Sequence, residues 1–81
     1  MTVLDDKPAL SNYLKAQRAA RGWTQAELAQ RVGVSRKTIN TIENSVFVPS
    51  TVLALQLAAV FECKVEDLFA LKKVTRVRPV I

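Results

Sequence analysis

Two short helical segments joined by a very short turn that contains a glycine constrain this fold more than any other feature of the chain. Thr24 and Glu27 have the spacing of a capping box, which predicts a helix over 25–32. Gly33 can end that helix in the left-handed conformation, and Ser35 is an N-cap residue that begins another helix. Two helices joined by so short a turn are typical of a helix-turn-helix.

The helix that follows Ser35, predicted over 36–44, has one apolar face and one polar face. Its apolar residues Ile39 and Ile42 lie about 60° apart around the helix axis. The polar face carries side chains that can all donate hydrogen bonds: Arg36, Lys37, Asn40, Thr41 and Asn44. The one acidic residue, Glu43, projects to the side. Because a solvated face usually mixes both signs of charge, a face of donors alone favours a groove lined by acceptors and phosphates.

Three further helices complete the predicted domain, which is all-α with five helices. The first covers 11–21. The fourth, capped by Ser50 or Thr51, ends near Phe61, and a short fifth covers 65–71. The apolar side chains expected to face the core are Leu53, Leu57, Ala58, Phe61, Val65, Leu68 and Phe69.

The chain divides into a flexible leader (1–10), the helical domain (11–71) and a C-terminal arm (72–81). The arm mixes β-branched and basic residues, which is typical of a strand. A lone strand needs a partner for its backbone, and the simplest partner is the same strand of a second copy. A basic arm that follows phosphates is the alternative. The residues expected to form the dimer contact are Val74, Val77 and Val80.

Composition narrows the class of function. The net charge of +5 suits a polyanionic partner, either nucleic acid or an anionic membrane surface. No histidine is present, and Cys63 is the only cysteine, so the usual zinc ligands and histidine-based catalysis are missing. We therefore expect no enzyme activity, metal or cofactor. Without a signal-peptide pattern or a long apolar run, the protein is expected to be cytoplasmic.

Several segments together resemble a known family. They are GWTQAELA at 22–29, GVS at 33–35, Ile39, IEN at 42–44 and PS at 49–50. This pattern, over residues 11–69, is similar to the xenobiotic-response-element family of regulators, which includes the lambdoid phage repressors and Cro. The resemblance implies a five-helix domain whose third helix lies in the major groove of DNA.

The resemblance also implies roles for individual residues. It assigns DNA contacts to Gln25, Ser35, Arg36, Lys37, Asn40, Thr41 and Asn44. The first of these matches a phosphate contact at the start of the second helix, whereas Arg36, Lys37 and Thr41 match base-contacting positions. Arg18 and Glu43 match a buried salt bridge between the first and third helices.

The sequence departs from the family after the third helix. The family often has Asn-Gly followed by basic, aromatic and polar residues, but here Ser45 precedes Val46, Phe47 and Val48. Phe47 is predicted either to fill the core or to lie in a dimer seam. Trp23 is expected at the edge of the core.

These features predict a homodimeric transcriptional regulator, most simply a repressor, on a palindromic operator. Its two recognition helices would enter successive major grooves about 34 Å apart. An alternative is an antitoxin-like module, whose arm binds and neutralises a partner toxin while the domain autoregulates. A basic membrane-surface protein is disfavoured because no strongly amphipathic cationic helix is present.

Overall fold

Four α-helices and a small antiparallel sheet form the structure, a computed structural model that describes residues 10–72. In chain order the elements are β1 (Leu10–Asn12), α1 (Leu14–Ala20), α2 (Gln25–Val32), α3 (Arg36–Glu43), α4 (Thr51–Phe61), one turn of 3-10 helix (Val65–Asp67) and β2 (Phe69–Leu71). The predicted arm over 72–81 lies outside the described residues except for Lys72.

The helix-turn-helix predicted from the capping patterns is confirmed. Thr24 Oγ1 accepts a hydrogen bond from the Glu27 amide at 3.0 Å, and the Glu27 carboxylate accepts one from the Thr24 amide at 2.7 Å. Gly33 ends α2 with a φ of 92°, in the left-handed region. Ser35 then caps α3 by accepting from the Thr38 amide at 3.1 Å.

The prediction of five α-helices is wrong, and the differences lie at the two ends of the domain. Residues 69–71, expected to be helical, form β2 and pair with β1, so that Leu10 lies opposite Leu71. Ser11 belongs to β1, and α1 therefore begins at Leu14. The physical reason is long-range pairing, because each segment supplies the backbone partner that the other lacks.

One apolar core joins all of these elements. Its buried side chains are Leu14, Leu28, Ala29, Ile39, Ile42, Leu57, Ala58, Phe61, Leu68 and Phe69. Leu53 and Val65, also predicted to face inward, are half-buried and pack against this core. Trp23 lies at its edge, as predicted, and stacks on Phe61 with ring centroids 5.4 Å apart. Phe47 is 45% exposed, so the prediction that it fills the core is wrong.

A buried ion pair ties α1 to α3. Arg18 Nε donates to Glu43 Oε2 at 2.7 Å and Arg18 Nη2 donates to Glu43 Oε1 at 3.1 Å. The side chains of Arg18 and Glu43 are only 14% and 3% exposed. Arg18 Nη1 also donates to the carbonyl of Trp23 at 2.8 Å, which fixes the chain just before α2. One guanidinium therefore connects α1, α3 and the backbone just before α2.

The surroundings of the pair shift the pKa values of both members. Burial acts to raise the pKa of Glu43, but hydrogen bonds from Arg18 and Gln25, with the charges of Arg18 and Lys15, lower it overall. The hydrogen bond to Glu43 raises the pKa of Arg18 against the opposing effect of burial. Both side chains are therefore charged at neutral pH.

Replacing Gly33 tests the turn. Apart from Gly33 and its two chain neighbours, no residue places a heavy atom within 4 Å of a Cβ at this position, so Gly33→Ala should act through backbone strain alone. We expect a loss of about 1–2 kcal/mol in the free energy of unfolding, measured in urea. Gly33→Asn is the matched variant and should lose less, because asparagine enters the left-handed region more readily. Equal losses in the two variants would contradict this explanation.

The ion pair should make stability depend on pH. Because the folded pKa of Glu43 is lowered, its contribution is complete above the pKa of an unfolded glutamate and disappears as pH falls through the folded pKa. Glu43→Gln should lower the free energy of unfolding by about 3 kcal/mol at neutral pH. Denaturant titrations of both proteins should show this difference shrinking in acid. A difference that does not change with pH would be inconsistent with the ion pair.

Candidate nucleic-acid interface

The exposed face of α3 carries the donor side chains singled out in the sequence. Ile39 and Ile42 anchor the opposite face in the core. Arg36, Lys37 and Asn44 are exposed, while Asn40 and Thr41 are half-buried on the same side. The structure thus brings the five predicted α3 residues onto one surface, with Ser35 exposed at its N-terminal end.

Gln25, at the first position of α2, lies against this surface. Its Oε1 accepts from Arg36 Nη1 at 3.2 Å and is 3.5 Å from Asn40 Nδ2. Its Nε2 donates to Glu43 Oε1 at 3.0 Å. The sequence places Gln25 and Arg36 in different helices, and the packing of α2 on α3 connects them through hydrogen bonds.

Other polar groups near α3 have local partners. The hydroxyl of Thr41 donates to the Thr38 carbonyl at 2.9 Å, and the hydroxyls of Ser35 and Thr38 are 3.0 Å apart. Asn44 Nδ2 donates to Asn40 Oδ1 at 3.2 Å. These bonds fix the directions of the side chains along the face. Of the two positively charged groups on the face, the Lys37 ammonium is the less constrained.

The charge of the face is entirely positive. The Glu43 carboxylate is withdrawn from solvent by its pairing with Arg18. Arg36 and Lys37 occupy the first turn of α3, where the helix macrodipole disfavours positive charge. Helix stability does not explain this placement. It therefore favours an anionic ligand at the N-terminal end of α3.

A shallow cleft of about 330 Å³ lies beside the donor face. Its lining residues are Ser35, Lys37, Thr38, Thr41, Val46 and Phe47. Val46 lies three residues beyond the end of α3 and is 75% exposed. The surface next to α3 therefore offers apolar contacts as well as hydrogen-bond donors.

Sequence reasoning missed Asn12, which supports α3 from outside the helix-turn-helix. Its Nδ2 donates to the Ile42 carbonyl at 3.1 Å and lies 3.4 Å from Ser45 Oγ. Its Oδ1 accepts from the Leu14 amide at 3.3 Å, so the same side chain satisfies the first backbone amide of α1. No local signal indicates this role, because its main partners lie about thirty positions away along the chain.

Residues 10–72 lack the features of two other classes of site. No group of three or more potential metal ligands occurs among them. No helix in this part of the chain has the length and apolar character needed to cross a membrane. The predicted dimer residues Val74, Val77 and Val80 lie outside the described part of the chain.

Curated relatives share this domain. The chain is 41% identical over 64 residues to the uncharacterized HTH-type transcriptional regulator YgzD of Bacillus subtilis, covering 79% of this chain and 97% of the relative. It is 45% identical over 60 residues to the regulator MJ0272 of Methanocaldococcus jannaschii, covering 74% and 91%. A shorter match, 44% identical over 36 residues, is to the antitoxin HipB of Escherichia coli and covers 44% of this chain and 41% of HipB.

Solved structures share the fold. The restriction-modification controller protein C.AhdI from Aeromonas hydrophila is 28% identical with a TM-score of 0.63, covering 67% of this chain and 78% of that protein. A hypothetical transcription factor from Neisseria, NHTF, has the same TM-score at 22% identity, covering 67% and 61%. The helix-turn-helix family model matches residues 14–68, from the start of α1 to the residue before β2. The chain belongs to the helix-turn-helix family of DNA-binding transcriptional regulators, of the xenobiotic-response-element and Cro type.

Proposed function

We propose that this regulator is a cytoplasmic, homodimeric repressor without enzyme activity that binds a palindromic DNA operator. The observation that carries the proposal is the face of α3 on which every polar side chain can donate a hydrogen bond and none is acidic. The major groove presents acceptors on every guanine and adenine, and phosphates border it on both sides. A helix face on which every polar side chain can donate and none is acidic complements such a groove.

The residues proposed to contact DNA fall into three groups. Arg36, Lys37 and Thr41 are proposed to contact bases, and the two basic residues favour guanine acceptors in each half-site. Gln25 at the start of α2 and Ser35 at the start of α3 are proposed to contact the backbone, because both lie at helix N-termini. Asn40 and Asn44 are proposed to contact bases or the backbone.

Exposed apolar surface supports association with a second copy. A groove of about 250 Å³ lies between the sheet and α4. Its lining residues are Leu10, Val48, Pro49, Thr51, Ala54, Leu55, Val65 and Phe69. Val48, Val52 and Leu55 are more than half exposed in the single chain, and covering such a surface stabilises small domains. The proposed dimer also uses the arm through Val74, Val77 and Val80.

A second candidate function is supported by the partial similarity to HipB. In this proposal the chain binds a toxin-like protein partner, and the DNA-binding domain regulates its own operon. A distinct small protein that co-purifies at a fixed ratio with the chain expressed from its native locus would favour this function over a simple repressor.

Replacing Arg36 tests the base contacts. The probe is the DNA sequence that the wild-type protein selects from a library of duplexes with a randomised centre. Arg36→Ala should weaken binding to this probe by about 1–3 kcal/mol and relax the base preference at one position of each half-site, measured by fluorescence anisotropy. The reason is the loss of a side chain that matches guanine acceptors.

Arg31→Ala is the matched control for Arg36→Ala. It removes the same charge from α2, where the guanidinium lies 4.2 Å from the centroid of the Trp23 ring. It should leave the base preference unchanged. If Arg36→Ala keeps both the affinity and the base preference of the wild type, the assignment of Arg36 as a base contact is wrong.

Replacing the valines of the arm tests dimer formation. Changing Val74, Val77 and Val80 together to aspartate should convert a particle of twice the chain mass into a monomer, measured by light scattering. The control changes Lys73, Arg76 and Arg78 to serine, which should keep the dimer and weaken the salt-dependent part of DNA binding. A dimer that survives the valine changes would show that the arm does not form the interface.

A further inference from the structure

A continuous chain of hydrogen bonds connects the buried ion pair to the donor face of α3. Glu43 Oε1 accepts from Arg18 Nη2 at 3.1 Å and from Gln25 Nε2 at 3.0 Å. On the other side, Gln25 Oε1 accepts from Arg36 Nη1 at 3.2 Å. One glutamine amide thus separates a buried carboxylate from a guanidinium that is proposed to contact bases.

The chemistry of an amide makes this arrangement directional. A glutamine amide has a donating end and an accepting end. In the observed orientation the NH₂ group faces a carboxylate and the oxygen faces a guanidinium, so both ends are satisfied. The reversed orientation would place oxygen against carboxylate and NH₂ against guanidinium. The negative charge of Glu43 therefore selects the orientation of Gln25, and with it the position of an acceptor for Arg36.

The same acceptor extends the network along α3. Gln25 Oε1 is 3.5 Å from Asn40 Nδ2, and Asn40 Oδ1 accepts from Asn44 Nδ2 at 3.2 Å. Asn40 and Asn44 lie one turn apart, so the network runs along most of the face. The bond from Gln25 helps to satisfy the Glu43 carboxylate, and it also fixes the orientation of an amide that reaches the donor face of α3.

We infer that Glu43 is a positioning residue for base recognition, which acts through Gln25 to hold Arg36 and Asn40 in place before DNA binds. This inference rests on the proposed function of α3. Arginine loses much rotamer freedom when it is ordered, and an arginine ordered in advance loses less of it on binding. The buried end of the network is shielded from salt, so its influence on Gln25 persists in solution.

The test is Gln25→Met, which keeps the length of the side chain and leaves the Arg18–Glu43 pair intact. Gln30→Met is the matched control, the same change at an exposed position of α2. Binding is measured to the duplex selected by the wild-type protein and to its single-base variants. At the position identified by Arg36→Ala, Gln25→Met should reduce discrimination between bases roughly tenfold, whereas Gln30→Met should not change it.

The result distinguishes a positioning role of Gln25 from a simple contact between Gln25 and the DNA backbone. If Gln25 served only as a phosphate contact, its loss would weaken all duplexes by the same factor and leave discrimination unchanged. That outcome would overturn the inference. An additive effect of Gln25→Met and Arg36→Ala in the double variant would overturn it as well, because a network requires the two changes to be coupled.

A second measurement does not depend on DNA. Nuclear magnetic relaxation of the Arg36 Nε–H group in the free protein should show a restrained side chain in the wild type and in Gln30→Met. It should show faster motion in Gln25→Met and in Glu43→Gln. An Arg36 side chain that is equally mobile in all four proteins would overturn the inference. If the wild type selects no sequence from the library, the proposed function fails, and the relaxation result still decides on the network.

Discussion

The arrangement of the helices depends on the buried pair between Arg18 and Glu43. A charged pair removed from solvent contributes little unless its remaining hydrogen-bonding capacity is satisfied. Here the guanidinium also donates to the backbone before α2, and the carboxylate accepts from the first side chain of α2. The pair therefore orients α1, α2 and α3 relative to one another with directional bonds, which the apolar core does not supply.

The core alone would leave that geometry poorly determined. The helices that are proposed to contact DNA, α2 and α3, have eight residues each and would be marginal in isolation. They are stabilised by side-chain caps at their N-termini and by Leu28, Ile39 and Ile42 in the shared core. Asn12 adds a hydrogen bond to the last turn of α3 from the strand β1. Fixed helix ends matter because the proposed DNA contacts begin at those ends.

The sequence predicts the local features of this fold better than its long-range ones. The bounds of α2 and α3 are predictable because Thr24, Gly33 and Ser35 act on neighbouring residues. The sheet is not, because 65–71 has helical spacing of Val65, Leu68 and Phe69, and only pairing with 10–12 makes its end a strand. The contact between Gln25 and Arg36 likewise has no signal in the sequence. It depends on the angle at which α2 packs on α3.

The first turn of α3 shows how function is accommodated in so small a domain. Arg36 and Lys37 oppose the macrodipole of their own helix, and no acidic side chain of α3 is available to offset them at that end. The Ser35 cap and the acceptor of Gln25 offset part of this cost, since each satisfies a donor at the start of the helix. Both do so with neutral groups, so the positive charge remains available to an anionic ligand. An acidic partner for Arg36 would stabilise the free protein more and would also repel phosphate, which explains why a glutamine at this position suits a DNA-binding surface.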